Sequence, residues 1–407
     1  QMQEGNILAN IVSMDPTGNT DPKIVKQSIV RLTLHEVGHT LGLNHNFKAS
    51  HLHDPVSVHD PLITQKSGVT ASVMEYPAVN LAPVGVDQGD YYDVVTGAYD
   101  NWAIEFGYTP NLSDQERDQI LFRSDEPELI FGNDADDMRS PGRGIDPRAM
   151  TNDLTNDPIT YAAERIELVN QTFKELPTKL EAKSWEEFVN AYQTLFRESG
   201  RSLQTVSRFV GGVYVNRSTP DQDSELRPFE PVSEEVQKRA MQVLNDHAFS
   251  PSAFPINEEI LTLIQKERRG FDFRSEHEDP QVHRNILSIQ TSVLAHLLNG
   301  WTLDRMTDSS LYGNTYSVNQ MLSDLTDSIF IEDANSSVST IRQNLQTSYL
   351  RRLIKMIDND SGYQMTSAAA YSSIRNIEKI AKRRSQDPET QAHRDFLLWL
   401  IDSALDD

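Results

Sequence analysis

The sequence predicts a mainly α-helical protein with little β structure, divided into two parts. From Thr160 onward, apolar residues recur every three or four positions, which is the spacing of one helix face. The first 110 residues are mixed, and their predicted strand content is low. At 407 residues the chain exceeds what one hydrophobic core usually serves, so two domains are expected. We place them at residues 1–158 and 159–407.

The first part begins with a candidate strand at Asn6 to Ser13, followed by a helix that ends near Leu43. A histidine-rich loop, turns and another helix come next. Between Asp125 and Pro158 lies a stretch rich in Asp, Gly and Pro that is longer than a usual connection. It is therefore predicted to be a functional loop or a linker, with the domain boundary near its end.

The second part reads as a helical domain. Ser184 with Glu187 three residues later fits a capping box, so a helix should begin there. Pro388 should lie in the first turn of a last helix that runs to Ala404. The helical spacing is clearest in four segments: Trp185 to Phe196, Val236 to Phe249, Ile286 to Leu298 and Ile341 to Ile357.

Composition excludes several classes of function. A formal net charge of −23 argues against non-specific binding to nucleic acid or anionic membranes, which reward clustered Lys and Arg. The longest apolar run, Phe396 to Ile401, has six residues, far short of the roughly 18 that a transmembrane helix needs. Without cysteine, any metal must be held by histidine and carboxylate. The chain opens with Gln1 and shows no signal peptide, so we expect a fragment of a longer protein.

The stretch "LTLHEVGHTLGLNHNF", residues 32–47, predicts a metal site. His35 and His39 are four positions apart and so lie on one helix face, where both imidazoles can reach one ion. Glu36 can reach a water on the metal without being a ligand, which is the position of a general base. A third histidine six residues later can return to the ion only if the helix stops quickly. Gly42 supplies that stop, so that His45 approaches the metal.

This stretch resembles the extended zinc-binding motif of the metzincin metalloproteases. The family's second signature, a methionine-containing turn, is matched by "SVMEYP", Ser72 to Pro77. "YDNWAIEFGY", Tyr99 to Tyr108, is similar to the helix that closes the catalytic domain in matrixins and serralysins, although its ending departs from their usual forms. The combination, with the long helical tail, most resembles the large bacterial zinc-dependent proteases called Met-zincins. The closest motifs cover residues 32–108.

The resemblance implies roles for further residues. Met74 would form the apolar floor beneath the zinc. Tyr76 matches the tyrosine that approaches the metal in astacin-like and serralysin-like members, and it would steady the developing oxyanion. The resemblance also implies export from a bacterial cell, to the periplasm or outside. It further implies a preceding sheet-bearing subdomain that pairs with the substrate, and the 34 residues before His35 are too few for it.

The predicted function is zinc-dependent hydrolysis of internal peptide bonds in a peptide or protein substrate. Three histidines leave the fourth position of zinc for water, and Glu36 acts as the general base. The alternative is that the chain is an inactive or processed piece of a larger protease, whose helical domain serves packing or partner binding. A preceding N-terminal portion of the same protein is the expected partner, and no nucleic acid is expected.

Other candidate sites are weaker. Asp134, Asp136 and Asp137 could hold calcium, yet they lack the spacing of an EF-hand, so a solvated loop is favoured. No GxSxG elbow supports a serine nucleophile. The remaining histidines are scattered and are read as surface residues or satisfied core residues, with the first three close enough to the motif to line a cleft: His51, His53, His59, His247, His277, His283, His296 and His393.

Overall fold

The computed structural model describes residues 2–14, 19–136, 141–180, 182, 184–222, 224–266, 278–357 and 363–405. It is mainly helical, as predicted. Two short strands, β1 (Val213–Val215) and β2 (Phe229–Pro231), pair in antiparallel orientation, with Tyr214 opposite Glu230. The helices are α1 (Met2–Ser13), α2 (Lys23–Thr40), α3 (Pro61–Ser67), α4 (Ala98–Tyr108), α5 (Asp114–Leu121), α6 (Pro158–Lys179), α7 (Trp185–Ser207), α8 (Glu234–Leu244), α9 (Glu258–Leu263), α10 (Val282–Leu297), α11 (Gly300–Ser309), α12 (Val318–Phe330), α13 (Thr340–Ile357), α14 (Gln364–Ala381) and α15 (Pro388–Leu405).

The predicted strand at Asn6 to Ser13 is wrong, because these residues belong to α1. Short apolar runs do not distinguish a strand from a buried helix. Here Leu8 and Ile11, three positions apart, are both buried, which is a helical spacing. Helix α1 packs against α2, α6 and α7, and this tertiary contact settles its conformation.

The four predicted helical segments are all found, with different ends. The first is the start of a longer helix, α7, and the others lie in α8, α10 and α13. The second segment continues beyond α8 as one π-helical turn, Asn245–Phe249. Ser184 caps α7 by accepting a hydrogen bond from the Glu187 amide at 3.3 Å. Pro388 begins α15 as predicted, and α15 ends one residue later than expected, at Leu405.

Two hydrophobic clusters connect the segment around residues 23–92 with the later helices. The smaller one joins Leu8 and Ile24, from α1 and α2, to Val169 and Leu195, from α6 and α7. The larger one fills the space between α7, α8 and α10–α15, and it includes Phe47 from the histidine-rich loop. The helices of the second part therefore form the surface on which α2 and the loop after it rest.

Among the described residues, none of the helices combines the length and the apolar character that a membrane-spanning segment needs.

A buried arginine ties the larger cluster together. Arg342 of α13 is fully buried, and its Nε donates to the Asp333 carboxylate at 2.6 Å. Its Nη atoms donate to the carbonyl oxygens of Phe249, in the π-helical turn, and of Ile329, in α12. One side chain thus satisfies the ends of two helices and a buried carboxylate. Losing it would leave the Phe249 carbonyl without this donor, and would leave Asp333 and Ile329 with the side-chain amide of Gln346 alone.

Replacing Arg342 by Met should therefore destabilise the protein by about 3–5 kcal/mol, the usual result of removing one partner of a buried pair. Urea denaturation followed by circular dichroism measures the free energy of unfolding. Arg351→Met is the matched control, since Arg351 lies exposed on the same helix and should change that energy by less than about 0.5 kcal/mol. Equal effects of the two substitutions would contradict the role given to Arg342.

Candidate metal centre

Helix α2 carries two of the predicted ligands. His35 is buried and His39 is exposed, and their ring centroids lie 4.7 Å apart, as expected for positions one turn apart. Glu36 lies between them in sequence and is exposed. The part of α2 that carries the two histidines is therefore partly open to solvent.

Gly42 ends α2 and redirects the chain, as the sequence indicated. Its φ is +87°, a left-handed conformation that favours glycine. The Leu43 amide donates to the Gly38 carbonyl and the Gly42 amide donates to the His39 carbonyl, each at 3.0 Å. These two bonds form a Schellman motif, which satisfies the last carbonyls of the helix. The turn brings His45 back, with its ring 4.9 Å from that of His39.

The three imidazoles converge on one another. One nitrogen from each of His35, His39 and His45 lies within 4.8 Å of the others, and among the described residues this is the one group of three or more potential ligands that does so. The Nε2 atoms of His35 and His45 are buried and have no hydrogen-bond partner in the protein. Buried nitrogens without partners are costly, and a shared cation would satisfy them.

The Nδ1 atoms are held on the opposite side of each ring. His35 Nδ1 lies 2.8 Å from the Val73 carbonyl oxygen, and His39 Nδ1 lies 3.0 Å from that of Leu43. A carbonyl only accepts, so both Nδ1 atoms carry the proton and both Nε2 lone pairs are available. Burial lowers the pKa of His35, which favours the neutral form that binds metals.

The turn from Ser72 to Pro77, here called the Met turn, packs beneath α2. Met74 is fully buried, and its sulfur lies so close to Gly38 that a Cβ there would overlap it. Asp100, at the start of α4, holds the turn by accepting hydrogen bonds from the Ser72 hydroxyl at 2.6 Å and the Val73 amide at 2.9 Å. The Met turn therefore supports α2 between the two helical histidines.

Tyr76 lies against the histidine group. Its ring centroid is 4.9 Å from that of His35 and 5.0 Å from that of His45, and the side chain is half-buried. The Arg31 guanidinium lies over the same ring at 5.5 Å from its centroid. The structure thus brings Tyr76 to two of the three histidines, although 31 positions separate it from the second of them, His45, in sequence.

A sequence profile of the family described as Met-zincin matches residues 17–337. The chain belongs to the Met-zincin family. The match covers the histidine motif, the Met turn and the chain through α12, and it confirms the resemblance drawn from residues 32–108. No curated protein and no solved structure matches the chain significantly. Membership of this family suggests a metallopeptidase and implies zinc as its metal.

Asp134 belongs to the acidic set for which the sequence favours a solvated loop over a calcium site. Its Oδ2 lies 2.9 Å from His45 Nδ1, so it contacts a predicted ligand. Asp136 forms an ion pair with Arg217 at 2.5 Å, and Asp137 lies outside the described residues. The described carboxylates of this set thus have protein partners, and calcium binding stays a prediction.

Glu75 was not singled out by sequence analysis, since its neighbours Met74 and Tyr76 carried the motif. Its carboxylate is fully buried and accepts hydrogen bonds from the Tyr76 amide at 2.8 Å and the Ser50 amide at 3.2 Å. Burial, with the negative charge of nearby Asp153, raises its pKa well above the usual value. Glu75 therefore joins the Met turn to the loop that follows the histidine motif.

The other described histidines lie outside the metal group. His53 Nε2 contacts the Gly68 carbonyl oxygen at 2.9 Å, and His51 lies 3.5 Å from the Asp153 carboxylate. His59 departs from the reading as a satisfied core residue, because it is buried with neither ring nitrogen hydrogen-bonded, and burial lowers its pKa to about 4. His277 lies outside the described residues. Four histidines remain. His283 is exposed and bonded to Thr340, His247 is half-buried, and His296 and His393 are buried in the helical core.

Replacing Gly38 by Ala should displace Met74 and disturb the floor of the metal centre. Overpacking of this kind costs about 1–3 kcal/mol, and we expect a lower melting temperature and weaker zinc binding. Gly107→Ala, in α4, is the control, because a Cβ there meets nothing within 4 Å. That substitution should raise stability by up to about 1 kcal/mol, since it removes backbone freedom from the unfolded chain. Unchanged zinc affinity in Gly38→Ala would contradict the role of the Met74 contact.

Proposed function

We propose that this Met-zincin is a zinc-dependent peptidase that hydrolyses internal peptide bonds. The observation that carries the proposal is the meeting of three histidine nitrogens within 4.8 Å, with two of the Nε2 atoms buried and unpaired. Three histidine ligands and an open fourth position are typical of catalytic zinc sites, whereas structural zinc sites are closed by four protein ligands. The family match supports both the metal and the peptide substrate.

The residues of the site fit zinc, since neutral imidazole is among its preferred ligands. When bound, zinc would lower the pKa of a coordinated water to about 7 and polarise the scissile carbonyl. Glu36, exposed beside His35, takes the proton from the attacking water and delivers it to the leaving amine. Tyr76 donates a hydrogen bond to the developing oxyanion, a role supported by its ring contacts with His35 and His45.

The test is Glu36→Gln. The substitution keeps the size of the side chain and removes the base, so kcat/KM for a quenched peptide substrate should fall by about 100- to 10,000-fold. Zinc content, measured by mass spectrometry on the purified chain, should not change. Glu105→Gln, at an exposed position of α4, serves as the control and should leave both values unchanged. Undiminished cleavage by Glu36→Gln would overturn the proposal.

A second candidate, an inactive piece of a larger protease, is favoured by one observation. The outer face of α2 is apolar and uncovered: Val25, Ile29 and Leu32 are 55%, 59% and 42% exposed. They lie four and three positions apart, so they form one stripe on the helix that carries two predicted ligands. Apolar stripes of this kind usually mark an interaction surface. We propose that a preceding portion of the same protein covers this stripe and completes the substrate cleft.

Zinc binding and peptide cleavage, measured on this 407-residue chain and on a longer one, separate these candidates. Full peptidase activity of the 407-residue chain would remove the second candidate. If that chain binds zinc but cleaves no peptide, and the longer chain does cleave it, the second candidate is supported.

Ile29→Gln should reduce binding of an apolar dye to the 407-residue chain, because the stripe is exposed. In the longer chain the same change should destabilise the fold by about 1–3 kcal/mol, as burial of the side chain would be lost. Export stays a prediction that rests on the resemblance alone.

A further inference from the structure

We propose that Asp134 is the positioning residue of the third metal ligand, His45. The proposal rests on the proposed function, because it assigns a role toward the zinc that His35, His39 and His45 would hold. Asp134 lies in the loop between α5 and α6, 89 positions after His45 in sequence, and its carboxylate oxygen is 2.9 Å from His45 Nδ1. It acts through His45 and touches neither the metal nor the substrate.

The three predicted ligands differ in what holds them. His35 and His39 point Nδ1 at backbone carbonyls, those of Val73 and Leu43, which no substitution removes. His45 alone points Nδ1 at a side chain. It is also the ligand outside the helix, on a segment that has already turned at Gly42, so its ring has less support from regular structure. The ligand with the least backbone support is thus the one held by a carboxylate.

The Asp134 loop is attached to the ligand segment by other bonds. The Phe47 amide donates to the Gly132 carbonyl at 2.7 Å, and the Asn46 side chain joins both the Gly132 amide, at 3.2 Å, and the Ile130 carbonyl, at 3.0 Å. The loop is closed further along by Asp136, which accepts from the Asn133 amide at 2.8 Å. Asp134 is therefore held beside His45 whether or not its own carboxylate is engaged.

The physical consequence follows from the tautomer. A carboxylate accepts the proton of Nδ1, which leaves the Nε2 lone pair for the metal, fixes the ring orientation and raises the basicity of the ligand. Removing such a partner usually weakens metal binding 10- to 100-fold. Here the His45 and Asp134 side chains are 22% and 58% exposed, so water can partly replace the carboxylate. We therefore expect a loss of about tenfold, at the lower end of that range.

The experiment uses the full chain with zinc as the probe. Zinc affinity is measured by competition with a chromophoric chelator for the unsubstituted chain, Asp134→Ala, Asp134→Glu and Asp136→Ala. Asp136→Ala removes both the ion pair with Arg217 and the bond from the Asn133 amide, while the bonds of Gly132 to Asn46 and Phe47 keep Asp134 in place. It therefore controls for a general loosening of the loop. In the metal-free chain, ¹⁵N chemical shifts of the His45 ring report which nitrogen carries the proton, independently of catalysis.

Asp134→Ala should bind zinc about tenfold more weakly, with a larger share of the Nε2-protonated tautomer at His45. Asp134→Glu should recover part of the affinity, and Asp136→Ala should keep nearly all of it. If Asp134→Ala leaves both affinity and tautomer unchanged, or if Asp136→Ala causes an equal loss, the positioning role is wrong. Failure of the unsubstituted chain to bind zinc would instead overturn the proposed function, so the two outcomes are distinct.

Discussion

The candidate metal centre depends on one backbone constraint, the left-handed conformation at Gly42. Two helical histidines define a line along α2, and a third can meet them only if the chain reverses within a few residues. The Schellman bonds to Gly38 and His39 make this reversal and satisfy the end of the helix at the same time. A residue with a Cβ would be strained at this φ, although it would meet no neighbour, so backbone conformation and not space requires the glycine.

Around this turn, the protein supplies support from three directions. The Met turn lies below α2, where Met74 fits against Gly38 and the Val73 carbonyl holds His35. Buried Glu75 connects the Met turn with the segment that follows His45. The hydrophobic clusters pack α2 and the loop after it against α6, α7 and the later helices. His35 and His45 are thus oriented by partners that are distant in sequence and of different chemical kinds, the Val73 carbonyl and the Asp134 carboxylate.

Local features of the fold could be predicted, and features that depend on distant contacts could not. The cap at Ser184, the start of α15 at Pro388 and the helical spacing of α7, α10 and α13 each depend on residues only a few positions apart. The local sequence of α1 is compatible with a strand, and packing against α2 and α7 sets its helical conformation. The same division holds for the site. The spacing from His35 to His45 indicated a metal by itself, whereas Asp134 and Glu75 owe their positions to contacts that no spacing rule describes.

Phe47, two residues after His45, is fully buried in the larger helical cluster, together with Met150 from the loop before α6. A shortened chain that stopped before α6 would turn these two side chains out to water beside the third histidine. Transplanting the histidine motif to another scaffold would meet the same difficulty. The ring of His45 packs against Phe47, which is held in a hydrophobic core that the following helices form.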